Sequence, residues 1–279
     1  MVSELKGLYK ISRPLTTLTG GLAVLLGGYV AGTGAWGKVI LAILATWFIS
    51  AAANAWNDYR DIEIDKINQP NRPLPAGLIS PRSVLIFSLV MTAVSIILAA
   101  FINTTAFIIA LLSAGMLYLY SWRLKSTVLM GNAIVATISA MSAIFGGIAA
   151  GNPRPSLWLA AIIASAIMGR EVLKTLADYE GDLRQRCRTV ATVWGRRAAR
   201  VVFYILASAT LVVMMLPYLL DVYRPVYALV VALGVYPVLI YVLLRVTRER
   251  TGQQLEKLSQ LMKYDFMVWF VAVLLGATT

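Results

Sequence analysis

The sequence predicts an all-α, polytopic membrane protein, a bundle of nine transmembrane helices. Three observations carry that prediction. Hydrophobic residues fill 59% of the 279 positions and charged residues only 14%, whereas soluble domains carry about 25% charged residues. Roughly nine apolar runs follow one another along the chain, each near the ~20 residues that cross a bilayer as a helix. Finally, the 25 Lys and Arg residues fall almost wholly on alternate connections between those runs.

The runs lie at about 13–32, 38–57, 83–103, 104–121, 127–150, 156–176, 197–219, 224–244 and 260–278. Lys6, Lys10 and Arg13 before the first run resemble the charged end of a signal peptide. The run is too long for one and lacks a small-residue cleavage site, so it is expected to be retained. The second and sixth runs end in acidic clusters. The whole chain, 1–279, reads as a single transmembrane domain.

The N-terminus, the even-numbered loops and their helix ends hold 22 of the Lys and Arg residues; the other connections hold only Lys38, Arg154 and Arg224. By the positive-inside rule the N-terminus is cytoplasmic and the C-terminus outside. The net charge of +12 is therefore an orientation signal, and no nucleic-acid partner is expected. Twelve of the 13 acidic residues lie on the same side, all but Asp221. Topology does not require this, because acids contribute little to orientation.

Composition narrows the chemistry further. With no histidine there is no imidazole base, no Ser-His-Asp triad and no HExxH zinc site. A single cysteine, Cys187, excludes an internal disulfide and a multi-cysteine metal site. Oxygen ligands remain, which suit Mg2+ and Ca2+.

The first acidic cluster (54–65) contains Asn54, Asn57, Asp58, Asp61 and Asp65. At 100° per residue, Asn57, Asp61 and Asp65 share one helical stripe, about 6 Å of rise apart. Stacked carboxylates repel one another unless cations sit between them. The second cluster (174–182) puts Lys174, Asp178 and Asp182 on a similar stripe. If the two helix ends face each other, their oxygens and cations suit Mg2+ held by a few carboxylates and by substrate phosphates. Solvated helix ends with ordinary charge pairs are the plainer reading of either cluster alone.

These motifs resemble those of the UbiA superfamily of intramembrane prenyltransferases. The family pattern N-D-x-x-D-x-x-x-D matches Asn57, Asp58, Asp61 and Asp65 without a gap, and D-x-x-x-D matches Asp178 and Asp182. The resemblance covers the whole chain. It implies nine helices around a central cavity opening near the cytoplasmic face. The runs Asn57–Gly77 and Arg170–Asp182 are most similar to the archaeal ether-lipid branch. That branch transfers a geranylgeranyl group from its diphosphate to the sn-2 hydroxyl of geranylgeranylglyceryl phosphate. The expected partners are thus an isoprenyl diphosphate donor, a lipid-like glycerol phosphate acceptor and membrane lipid; nothing in the sequence sets an oligomeric state.

The resemblance also implies roles. Asp61, Asp65, Asp178 and Asp182 are the expected catalytic carboxylates. They bind Mg2+ shared with diphosphate, together with Asn57 and Asp58. Arg13, Arg72 and Lys174 are expected to grip phosphate oxygens, with Thr16, Asn54, Tyr118, Tyr120 and Lys125 completing substrate binding. Tyr118, Tyr120 and Trp122 are candidates for a wall facing an allylic cation, although aromatic residues are also enriched at membrane interfaces. Thr16 stands where the ether-lipid branch often carries Asn, and Thr175 and Ala177 stand where relatives often carry acids. The family's Y-x-x-x-K is out of register, because Lys125 follows Tyr120 at i+5. An aromatic or chlorophyll-type prenyltransferase remains the alternative, and a transporter is the non-enzymatic one. A CDP-alcohol phosphotransferase is disfavoured because Ile62 stands where its motif needs Gly.

Overall fold

Pro14, Pro81 and Pro225 each open a helix, where the missing N–H costs nothing and the ring presets φ. Ser80, Asn103 and Thr251 cap the helices that follow them by accepting a backbone N–H on the side-chain oxygen. The resulting elements are all helices in a computed structural model that describes residues 2–32, 34–247 and 250–277.

In chain order they are α1 (Val2–Ser12), α2 (Pro14–Val30), α3 (Trp36–Arg60), α4 (Ile62–Asn68), α5 (Pro81–Ala100) and α6 (Thr104–Leu119), which a π-helical turn, Tyr120–Leu124, continues. There follow α7 (Met130–Ala149), α8 (Ser156–Ala177), α9 (Tyr179–Arg184), α10 (Val190–Val193) and α11 (Gly195–Leu219). The chain then runs through α12 (Pro225–Val230), a second π-helical segment (Val231–Val235), α13 (Tyr236–Arg245) and α14 (Gly252–Gly276).

Among the described residues, eight helical stretches are long and apolar enough to cross a membrane. Expected run 13–32 is realised as the 17-residue α2, at the short end of spanning length. The most apolar window of α5 has a mean hydropathy of 2.5, yet only 22% of it is buried by protein. Ile86, Leu89 and Ile97 stay exposed on it, an apolar surface that calls for lipid. The chain is an integral, multi-pass membrane protein.

Two boundaries differ from expectation. The residues before Pro14 form a helix of their own, and Arg13 breaks it from α2 at φ 49. The last helix begins at Gly252, well before position 260. Gln253, Gln254, Glu256 and Lys257 lower its hydropathy, while a reciprocal Thr251–Gln254 capping box starts it.

The chain divides into two compact units, one of Met1–Lys125 with Ser142–Arg154, the other of Ser126–Met141 with Pro155–Thr279. In the first unit, serines of α5 tie it to α3: Ser88 Oγ donates to the Ala52 carbonyl (2.9 Å) and Ser95 Oγ to that of Ala45 (2.8 Å). Such small hydroxyl residues hold helices together where lipid offers no hydrophobic drive. A Cβ on Gly146 would stand 1.9 Å from the Val24 carbonyl oxygen, so the backbones there meet directly. In the second unit, Arg170 Nε of α8 donates to the Ser259 carbonyl of α14 (3.2 Å). Trp269 Nε1 donates to Tyr227 Oη, which donates to the Met214 carbonyl (2.7 Å), joining α14, α12 and α11.

Candidate active site at the helix ends

The first acidic motif lies where α3 hands over to α4. Asp61 is the joint, at φ −95 and ψ 8. The hydrogen-bond ladder continues through it, Asp61 N to Asn57 O (2.9 Å) and Asp65 N to Asp61 O (2.7 Å). The expected stripe of Asn57, Asp61 and Asp65 therefore survives the change of helix. The side chains use it differently from the simple pattern. Asp58 and Asp65 stand seven residues apart, two turns, and Arg72 Nη1 reaches both, at 3.6 and 2.5 Å. Asp58 also receives Arg13 Nη2 at 2.5 Å. Asp61 pairs with Lys125, and the Oδ1 of Asn57 accepts a hydrogen bond from Ser121 Oγ.

Burial explains the pairing. Asp58 is 3% exposed and Asp65 5%, and a carboxylate so deep must be matched by charge and hydrogen bonds. The loop after α4 supplies one partner. Leu74 sits in a small core with Ile11, Ala55, Ile79 and Val84, and turn bonds from Ala76 N to Arg72 O and Leu78 N to Pro73 O stiffen the segment carrying Arg72. Arg13 is held differently. Its left-handed backbone is uncommon for a residue with a Cβ, and the Asp58 pair anchors its side chain across the break between α1 and α2. Asn54 Nδ2 donates to the Ser12 carbonyl (3.1 Å) at the same break. Thr16 follows at the start of α2 and is exposed.

The departure of Lys125 from the family spacing has a structural answer. Residues Tyr120–Leu124 form a π-helical turn, in which Lys125 N donates to Tyr120 O at 2.9 Å. The wider turn takes up one extra residue, so i+5 here falls where i+4 falls on an α-helix.

Tyr118 is engaged otherwise. Its hydroxyl lies 2.9 Å from Ser88 Oγ and 2.7 Å from Thr92 Oγ1, and its ring meets Trp56 edge-on at 4.9 Å. With Ile49, Ala53 and Leu117 these two rings line a narrow cleft between α3 and α6. Trp122 is exposed, with the Arg123 guanidinium 4.9 Å over its ring, the arrangement of an interfacial anchor. Tyr120 is half-buried in the π-turn.

The second motif repeats the handover. Asp178 joins α8 to α9 at φ −88 and ψ 5, with Asp178 N bonded to Lys174 O (2.8 Å) and Asp182 N to Asp178 O (2.9 Å). Lys174 turns to Glu171 (3.2 Å), as does Arg170 (3.5 Å). Asp178 is exposed and Asp182 half-buried. Thr175 is buried and donates to the Val172 carbonyl (2.8 Å).

Among the described residues no three acidic or cysteine side chains converge to hold a metal by themselves. Oxygen donors in ones and twos at helix ends, beside guanidiniums, nevertheless fit Mg2+, which takes one or two carboxylates together with substrate phosphates.

Three further groups lie outside the set that the motifs predict. Ser121 was hidden behind Tyr120, and Glu171, the partner of Lys174 at i−3, was readable from spacing alone. Asp265 lies within α14, 5% exposed, its Oδ1 without a hydrogen-bond partner among the described residues.

The sequence profile of the UbiA prenyltransferase family matches residues 15–271. Digeranylgeranylglyceryl phosphate synthase of Methanopyrus kandleri is 38% identical over 210 residues, 75% of this chain and 78% of that protein. A solved structure of digeranylgeranylglyceryl phosphate synthase superposes with a TM-score of 0.80 at 28% identity, covering 99% of each chain. A UbiA homologue from Archaeoglobus fulgidus, solved with GPP and Mg2+, has a TM-score of 0.64 and 18% identity over 94% of this chain and 99% of that one.

Proposed function

The chain belongs to the UbiA prenyltransferase family, and on that premise we propose that it transfers a geranylgeranyl group from geranylgeranyl diphosphate to the sn-2 hydroxyl of geranylgeranylglyceryl phosphate. The names of its relatives support this acceptor. The observation that carries the reading is the first helix handover, where Asp61 and Asp65 each hold a cation, Lys125 and Arg72, at the end of a membrane-spanning helix.

Asp61, Asp65, Asp178 and Asp182 are the carboxylates for Mg2+ shared with the diphosphate. Asp58 stands behind them and holds Arg13 and Arg72 in place. When bound there, Mg2+ neutralises charge that develops on the leaving group. Arg13, Arg72, Lys125 and Lys174 exchange carboxylate partners for phosphate oxygens, so the site trades one set of ion pairs for another. The allylic C–O bond breaks with its electron pair going to diphosphate. The acceptor hydroxyl oxygen then bonds to the allylic carbon, and the released diphosphate takes the proton. The missing histidines fit this route, since no imidazole base is required. Apolar helices shield the cation from water. The N-terminus and both motifs face the cytoplasm, in keeping with the distribution of Lys and Arg.

The test is purified protein with Mg2+, geranylgeranyl diphosphate and geranylgeranylglyceryl phosphate, assayed for diphosphate release. Turnover that stops on chelation of Mg2+ and returns on its addition is expected. Turnover only with an aromatic acceptor moves the protein to the quinone or chlorophyll branch. Metal-dependent transport of an isoprenyl diphosphate without turnover overturns the enzymatic reading.

A further inference from the structure

The π-turn after α6 presents two side chains, four residues apart, to two motif residues also four apart on α3. Ser121 meets Asn57, and Lys125 meets Asp61. The wider i→i+5 turn brings residues four apart closer to one line than an α-turn does, so both pairs form across one helix contact. The Lys125 pair is an exposed ion pair, with 49% of that side chain accessible. The Ser121 pair is half-buried and neutral, and it acts on an amide whose two ends differ chemically.

We infer that Ser121 is a positioning residue that makes Asn57 a hydrogen-bond donor to the diphosphate of the donor substrate. The Ser121 hydroxyl has two acceptors in reach, its own helix's Leu117 carbonyl at 3.2 Å and the nearer carboxamide oxygen of Asn57, and its single proton goes to the nearer one. The NH2 group, which has no hydrogen-bond partner among the described residues, is then the end of Asn57 left for a ligand. Two N–H donors suit phosphate oxygens and repel a metal ion. Asn57 thus divides the work of the motif with its neighbours: the carboxylates take the cation and the amide takes the anion. Ser121 itself touches neither.

This rests on the reading that the first handover holds the donor diphosphate, and the experiment separates the two. Binding of geranylgeranyl diphosphate with Mg2+ is measured by calorimetry on detergent-solubilised protein, and KM and kcat are measured beside it. In Ser121→Ala the donor's Kd and KM rise about tenfold, the loss of one hydrogen bond's worth of alignment, while kcat at saturating donor stays within twofold. Ser121→Thr, which keeps the hydroxyl, restores both constants. Asn57→Asp, the same shape with a carboxylate in place of the NH2, loses at least as much as Ser121→Ala even at saturating Mg2+. Unchanged donor affinity in Ser121→Ala, or donor affinity retained in Asn57→Asp, overturns the inference. A fall in kcat alone, unrescued by Thr, overturns it as well. A wild-type protein that does not bind the donor overturns the parent reading instead.

Discussion

The two helix handovers share a backbone and differ in what surrounds it. At Asp61 and at Asp178 a membrane-length helix passes to a short one through an aspartate near φ −90, ψ 5. Each keeps the residue four before it and the residue four after it on one ladder. At the first, the motif acids are buried or half-buried and three cations are spent on them: Arg13 and Arg72 on Asp58, Arg72 on Asp65, Lys125 on Asp61. At the second, Arg170 and Lys174 are spent on Glu171, one turn earlier, and Asp178 is exposed at the helix end. Burial is the difference. A buried carboxylate must be paired because removing its partner leaves an uncompensated charge, whereas any pair made by an exposed carboxylate is screened by water and is worth little. The first handover is therefore a built, charge-balanced structure, whereas at the second the exposed Asp178 contributes less to folding.

Four measurements can break or sharpen that contrast. The largest effect is catalytic and common to both: Asp61→Ala and Asp178→Ala should each lower kcat/KM by about 10³-fold, the scale of removing a preorganised electrostatic group. Activity surviving in one and not the other would end the functional equivalence of the two motifs. Stability should then separate them. Asp58→Ala strands Arg13, about a third exposed, and leaves Arg72 with Asp65 alone, at an expected cost of about 2 kcal/mol in detergent-solubilised unfolding; Asp178→Ala should cost under about 0.5 kcal/mol. Equal losses would refute the argument from burial. Glu171→Gln weakens the hold on Arg170 and Lys174, for about 1 kcal/mol, and thermal unfolding of the purified variant checks it. The smallest stability change belongs to Lys125→Gln, within about 0.5 kcal/mol because its ion pair is exposed, while the donor's KM should rise severalfold in the same kinetic assay.

Much of the site was legible because its chemistry repeats at helical spacing. Asn57, Asp61 and Asp65 keep the register expected of them, and so do Lys174, Asp178 and Asp182, since the backbone ladder runs through both joints. Spacing could not foresee that Asp58 would be the most buried acid of its cluster, nor that Arg72 would span Asp58 and Asp65. Those depend on how deep the end of α3 lies and on the Leu74 loop that fixes Arg72. Nor could it foresee the π-turn, which converts an apparent misregister between Tyr120 and Lys125 into a fitted one. The start of α14 was missed for a simpler reason: hydropathy finds lipid-facing surface, and the first turns of that helix are polar.

By itself the sequence determined the class of the protein, its long apolar helices and the places where its acids gather. Each of these follows from local composition and from a period of 3.6 residues. The tertiary structure decided the pairings: which cation meets which carboxylate, that Ser121 holds Asn57, and that Tyr118 is tied to Ser88 and Thr92. Contacts between residues 7 to 64 positions apart depend on the depth and angle at which helices pack, and no local pattern encodes those.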